Sequence, residues 1–193
     1  MLYVATSDGV NVYTYPRDTL LGSLGSAGVD VCNDRRGDVF VSSGFAETIS
    51  EYAHGAAVPK VTLSDPLYAG PCSVDPLTGS VAVVAFYTNP IVIFPYNKRS
   101  GWRFAKTLRI SGLEIARFCG YDPHGNLFID GTTSGTGTFA LYELPKGRAT
   151  FELISLDQSI SGPGGVQVGR TVPHHCRWGP QFAKPHGDLS VRS

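Results

Sequence analysis

Metal-ligating side chains crowd one end of this chain. The stretch VGRTVPHHCRWGPQ, residues 168–181, sets His174 and His175 beside Cys176, with His186 a short way on. Imidazoles and a thiolate can hold zinc, but they must converge tetrahedrally on one ion. Adjacent histidines in a segment without periodicity do not match the usual finger spacings, and no Cys-x-x-Cys pair supports them. No metal site is therefore expected here. Composition also changes abruptly at Val168, since three of the five histidines fall in the last 26 residues among prolines and arginines. Advancing the codon frame by one nucleotide allows Ile or Thr at the two histidines, Ala or Val at Cys176 and Gly at Trp178, residues at home in a strand that ends in a turn. The expectation is that 168–193 is an irregular, frameshift-derived tail.

A second constellation is carboxylic. Asp34, Asp75 and Asp122 would suit acid–base work or calcium, but each opens a turn that a glycine closes, in NDRRG, VDPLTG and YDPHG. An aspartate can accept a bond from the backbone two residues on, and glycine takes the positive φ of a hairpin, so the repeated spacing points to a structural role. His54 in YAHG and His124 in DPHG read as solvated loop residues with no carboxylate partner discernible in sequence. Cys32, Cys72 and Cys119 recur once per repeat, each in a first strand. They could form a disulfide framework. Repeat-equivalent positions need not come within bonding distance, however, so small buried hydrophobes are expected. Trp102, Tyr87 and Tyr96 could line a binding face, but cross-strand packing is the favoured reading. No catalytic, cofactor-binding or metal-binding residue is assigned.

The elements that must position these residues repeat. LYVATSDG, GDVFVSSG, GSVAVVAF and GNLFIDGT carry one alternating phrase, and the last three begin 42 and 46 residues apart. A short strand and a turn precede each of those three. A third strand follows every phrase (VNVYTYP, TISEYAHG, PIVIFPYNKRSG, FALYELPKG), and a fourth closes the unit (TLLGSLG, PKVTLS, FAKTLRI, TFELISL). Four short antiparallel strands in about 40–47 residues have the period and content of a β-propeller blade.

PCSVDPLTGSVAVVAF and FCGYDPHGNLFIDG resemble the apolar-x-apolar-Asp-x-x-Gly-Asn-apolar-aromatic-apolar repeat of NHL-type and gluconolactonase-like propellers, and the resemblance covers residues 2–167. It implies a ring of about six or seven blades, within the range of roughly 4–8 that propellers use. Against such a ring the chain offers an incomplete copy. Residues 2–28 supply three strands, 29–69, 70–115 and 116–161 supply full blades, and 162–167 open another. Gluconolactonase-like members hold a divalent cation through a Glu, two Asn and an Asp from separate blades. Asn11, Asn33, Asn89, Asn97 and Asn126 are the whole asparagine supply here, and none carries over. Virginiamycin lyase-like members need a histidine with an acidic partner, and no pair matches.

Composition excludes other classes. Formal charge is zero with Lys and Arg scattered, so no electrostatic footprint for nucleic acid or an anionic bilayer is present. The longest apolar run, SVAVVAFY at 80–87, falls far short of the roughly 20 residues a spanning helix needs. Met1 runs directly into the strand-like LYVATSDG, so no export signal is read in this chain, although a full-length parent could be secreted or periplasmic. The expected fold is all-β, a partial β-propeller of four-stranded antiparallel blades. The expected function is a non-catalytic scaffold or binding module, a truncated gene product of unknown ligand. The alternative is a lactonase or lyase dependent on a divalent cation such as calcium or zinc. Uncovered blade faces would favour self-association.

Overall fold

The structure is a computed structural model that describes residues 1–25, 30–65, 67–85, 87–103 and 105–168. His174, His175, Cys176, Trp178 and His186 therefore lie outside the described residues, and so does nearly all of the expected tail.

Among the described residues there are strands and turns and no helix. The first unit is a three-stranded sheet of β1 (Leu2–Thr6), β2 (Gly9–Tyr13) and β3 (Leu20–Leu24). The second comprises β4 (Asp30–Asn33), β5 (Val39–Ser43), β6 (Thr48–Tyr52) and β7 (Pro59–Ser64), hydrogen-bonded in chain order. The third has β8 (Ala69–Val74), β9 (Val81–Ala85) and β10 (Ile91–Phe94). It then interposes a small hairpin, β11 (Tyr96–Asn97) and β12 (Gly101–Trp102), before its outer strand β13 (Lys106–Leu108). The fourth contains β14 (Leu113–Tyr121), β15 (Leu127–Thr133), β16 (Phe139–Leu144) and β17 (Glu152–Ile154). All pairings are antiparallel, as the expected meander requires. The β11–β12 hairpin was not anticipated from the sequence.

Alternation along each strand gives every unit two faces, one toward the preceding unit and one toward the next. Val10, Val12 and Leu24 of the first unit meet Val39, Val41 and Tyr52 of the second. Phe40 and Ile49 of the second meet Cys72, Val74, Val81, Val83, Val92 and Phe94 of the third. Ala82, Val84 and Ile91 of the third meet Cys119, Leu127, Ile129, Ala140, Tyr142 and Leu144 of the fourth. Strand β9 is buried throughout, because both of its faces are covered. That is why its sequence, VAVVA, reads as a continuous apolar run.

The three repeated turns are built as their spacing predicts. Asp34 Oδ1 accepts from the backbone N–H groups of Arg36 (2.8 Å) and Asp38 (2.9 Å). Asp122 Oδ1 accepts from those of His124 and Asn126, both at 2.8 Å, while Asn126 Nδ2 donates to Asp122 Oδ2 at 2.9 Å. Asp75 accepts from Leu77 N at 2.8 Å and from the Thr78 hydroxyl at 2.6 Å. The closing glycines Gly37, Gly79 and Gly125 take φ of 84°, 81° and 85°.

One cysteine expectation is overturned. Cys32 and Cys72 form a disulfide with Cα atoms 5.8 Å apart, joining the innermost strands of the second and third units. Only Cys119 is the small buried thiol that was expected. The reason is register. Cys32 stands two residues before its turn aspartate, whereas Cys72 and Cys119 stand three before theirs. A one-residue offset flips a strand side chain to the opposite face, so Cys32 points toward the next unit and meets Cys72 pointing back.

The position of Cys32 recurs as Ser73 and Gly120, and each reaches the following inner strand differently. The Ser73 hydroxyl accepts from Tyr121 N at 3.0 Å. At Gly120 the bare Cα admits the backbone of Val166, since a Cβ there would lie 2.6 Å from the Val166 carbonyl oxygen. Residues 162–167, expected to open a further unit, form no ladder among the described residues. They nonetheless run alongside the inner strand of the fourth unit, and Gly165 N donates to Asp130 Oδ2 at 3.3 Å.

Candidate functional site

The sequence candidates distribute as follows. Asp34, Asp75 and Asp122 are committed to their own turns. His54 and His124 are exposed, and His54 donates its backbone N–H to Asp38 Oδ1 at 3.1 Å. Tyr87 is 65% exposed on the loop between β9 and β10. Among the described residues no group of three or more His, Cys, Asp or Glu is placed to hold a metal ion. No helix of the described residues is long and apolar enough to cross a membrane.

What does converge lies at the rim of the junction between the second and third units. A cleft of about 200 Å³ is bounded by the Asp34–Gly37 and Asp75–Gly79 turns, the start of β7 and the inserted β11–β12 hairpin. That hairpin pairs Tyr96 directly with Trp102. Asn97 makes the turn by accepting from Arg99 N at 2.8 Å, and Gly101 follows at φ 70°. The two rings stack tilted with centroids 4.9 Å apart, and Trp102 sets its edge against Phe40 of the second unit at 5.8 Å and 82°. Cross-strand packing, the favoured sequence reading of Tyr96 and Trp102, is what positions them. The same packing forms an aromatic shelf that lines the cleft.

Beneath the shelf lies a charge network. Trp102 Nε1 donates to Glu51 Oε2 at 3.2 Å, and Lys60 Nζ donates to Glu51 Oε1 (2.5 Å) and Asp38 Oδ2 (2.7 Å). The Lys60 ammonium beside Asp38 holds that carboxyl below its ordinary range. Asp38 and Glu51 in turn push the Lys60 ammonium well above the usual lysine value. A lysine so held is a fixed positive charge and not a nucleophile, and both Glu51 oxygens already accept hydrogen bonds. The network orders the cleft and commits Lys60, Glu51 and Asp38 to one another.

Arg35, Arg36 and Lys98 line the same cleft, and none lies within ion-pair distance of a carboxylate among the described residues. The uncommitted chemistry is thus cationic and aromatic. Sequence reading named Trp102 and Tyr96 but missed Lys60, Glu51, Asp38, Arg35, Arg36 and Lys98. One signal was available. In register, Glu51 opposite Phe40 occupies the position taken by Val12 opposite Tyr3 and Ile93 opposite Ala82, and by Glu143 opposite Phe128 in the fourth unit, whose outer face no described unit covers. A carboxylate at a position that faces a core elsewhere in the repeat needs a partner.

Successive antiparallel sheets, one of three strands and three of four, packed face to face among the described residues, define the chain as an all-β partial β-propeller. No protein-family model matches the sequence, and no curated protein does either. Solved chains do match. A chain of the nidogen–laminin complex superposes with a TM-score of 0.65 at 14% identity, covering 84% of this chain and 64% of that one. Hydrazine synthase of Kuenenia stuttgartiensis gives 0.64 at 11% identity, covering 78% and 44%. An auxiliary nutrient binding protein from Bacteroides ovatus gives 0.55 at 16% identity, covering 84% and 40%. At these identities the likeness shows a propeller-like fold alone. The chain spans 40–64% of the length of these three solved chains.

Proposed function

We propose that this chain is a non-catalytic β-propeller binding module of the NHL-like kind, and that its rim cleft takes a small ring-bearing ligand with an anionic group. The observation that carries the reading is the Tyr96–Trp102 shelf beside Arg35, Arg36 and Lys98, with Lys60 already neutralised by Asp38 and Glu51. A flat face would stack on the indole, and a carboxylate or phosphate would meet the free guanidinium groups. The thrice-repeated Asp-to-Gly turn supports the NHL-like assignment. Nutrient binding is what the name of the Bacteroides ovatus neighbour states, and it is compatible with this reading.

The test is a fluorescence titration of the intact chain carrying Trp178→Phe, so that Trp102 alone reports. Uronic acids and aromatic carboxylates are compared with neutral sugars. Saturable quenching by the acids is expected, weakened about tenfold or more by Arg36→Gln. No response to any acid would overturn the proposal. So would chelator-sensitive lactone hydrolysis, which would instead favour the cation-dependent lactonase or lyase.

A further inference from the structure

The described residues contain a unit without an inner strand and an inner strand without a unit. In the second, third and fourth units the strand after the repeated turn is covered on its axial side by β4, β8 or β14. In the first unit the equivalent strand is β1, which pairs with β2 on one side and among the described residues has no ladder partner on the other. An open edge of this kind is a template for another strand.

At the opposite end of the arc, residues 162–167 lie where a following unit would place its inner strand. Two contacts fix them there. Gly165 N donates to Asp130 Oδ2 of β15, much as Cys72 N donates to Asp30 Oδ2 of the inner strand β4 at 2.9 Å two junctions earlier. The Val166 carbonyl is seated over Gly120, at the position where Cys32 and Ser73 engage their neighbours. Gly165 meets Asp130, which pairs with Phe118, and Val166 lies over Gly120, so the segment advances in the sense of β14 and would lie antiparallel to a strand equivalent to β15, which is what β1 is.

The flanking faces match as well. On the first unit Leu2 and Val4 are 45% and 40% exposed, at the strand positions that Val39 and Val41 bury in the second. On the fourth unit Phe128, Leu141 and Ile154 are half-buried on the face away from the core, Ile154 lying directly opposite Leu141.

We propose that the occupant of both surfaces is a second copy of this chain. In the pair, residues 162–167 of each copy add to β1 of the other as its missing inner strand. The fourth-unit face of each covers the first-unit face of its partner. Strand addition of this kind supplies main-chain hydrogen bonds along an edge, and the reciprocal arrangement closes with twofold symmetry. The four described units of each copy together make eight, which propeller geometry allows.

Sedimentation of the intact chain tests this first. The expected mass is twice 20.6 kDa at micromolar concentration, and Val4→Lys, at a site exposed in the single chain, is expected to raise the dissociation constant at least about tenfold while leaving the β-type circular dichroism intact. Cross-linking then locates the contact. Val4→Cys combined with Gly164→Cys is expected to give a disulfide-linked species of twice the chain mass on oxidation. A single-chain mass in sedimentation would overturn the proposal. So would a disulfide formed within one chain, since that would mean 162–167 closes onto β1 of its own copy.

Discussion

Two junctions in this molecule are made from the same repeat and finished differently. Where the second unit meets the third, the inner strands are joined by the Cys32–Cys72 disulfide, and the rim opens into a cleft with Lys60, Glu51 and Asp38 beneath Trp102. Where the third meets the fourth, no disulfide joins the inner strands among the described residues: the Ser73 hydroxyl accepts from Tyr121 N, Ala116 N donates to Thr88 O at 2.9 Å, Asn89 Nδ2 donates to Leu113 O at 2.6 Å, and the Cys119 thiol is buried. The corresponding rim there, an opening of about 480 Å³, is lined by Ile93, Leu108, Tyr121, Leu127 and Leu144 among others. Ile93 stands where Glu51 does, and no ion pair among the described residues spans that rim. The stapled junction holds an ion-paired network at its rim, whereas at the unstapled one apolar side chains line the rim together with Asp75, Lys106, Lys146 and Arg148, which form no ion pair across it among the described residues.

Breaking the staple should have the largest effect. Replacing Cys32 and Cys72 by Ser releases a loop spanning 40 residues, and loop-closure entropy puts the loss at about 4 kcal/mol. The urea midpoint of oxidised wild type should fall to that of the double variant on adding a reductant, and a loss below about 1 kcal/mol would mean that the apolar core alone holds this junction. Ile129→Ala comes next. Ile129 is wholly buried in the third–fourth core, so the change should cost roughly 2–5 kcal/mol in equilibrium unfolding. Ile49, equally buried at the stapled junction, should cost a similar amount when cut to Ala, and a much smaller penalty there would show that the disulfide relieves the core of its role.

The smallest effect is in pH. Burial raises the carboxyl of Asp30 above 3.8, and it does the same to Asp130, although in both cases backbone N–H donors pull the other way. For such a group ionisation is harder in the folded chain, so its penalty is absent below the unfolded value of 3.8 and sets in as pH rises through the folded value. Asp38, lowered by Lys60, behaves oppositely. Its stabilisation is present above 3.8 and is lost as pH falls through its folded value. As pH falls from 7 toward 3.8 the urea midpoint should therefore hold or rise slightly, and below 3.8 it should drop. The Asp30→Asn chain should show a smaller rise, and a rise of the same size in that variant would remove Asp30 as a cause.

Much of the fold was legible because it is local. The Asp34, Asp75 and Asp122 turns, the alternation of VFVSS and FALYEL, and the buried run VAVVA are all set by interactions within a few residues. The disulfide was legible in principle, since the offset of Cys32 from its turn aspartate differs by one from that of Cys72, but its weight appears only once two inner strands converge. The rim cleft was hardly legible. Arg35, Arg36 and Lys98 look like any scattered surface cations until the hairpin at 96–102 folds back over Phe40.

By itself, the sequence determined that short turn-linked strands recur and that each has two faces, because hydrogen-bonded turns and side-chain alternation act at short range. Only the tertiary arrangement decided which faces meet, which cysteines bond and which charges are left without a partner. Those outcomes depend on distances between residues some 40 positions apart along the chain, and no local preference encodes them.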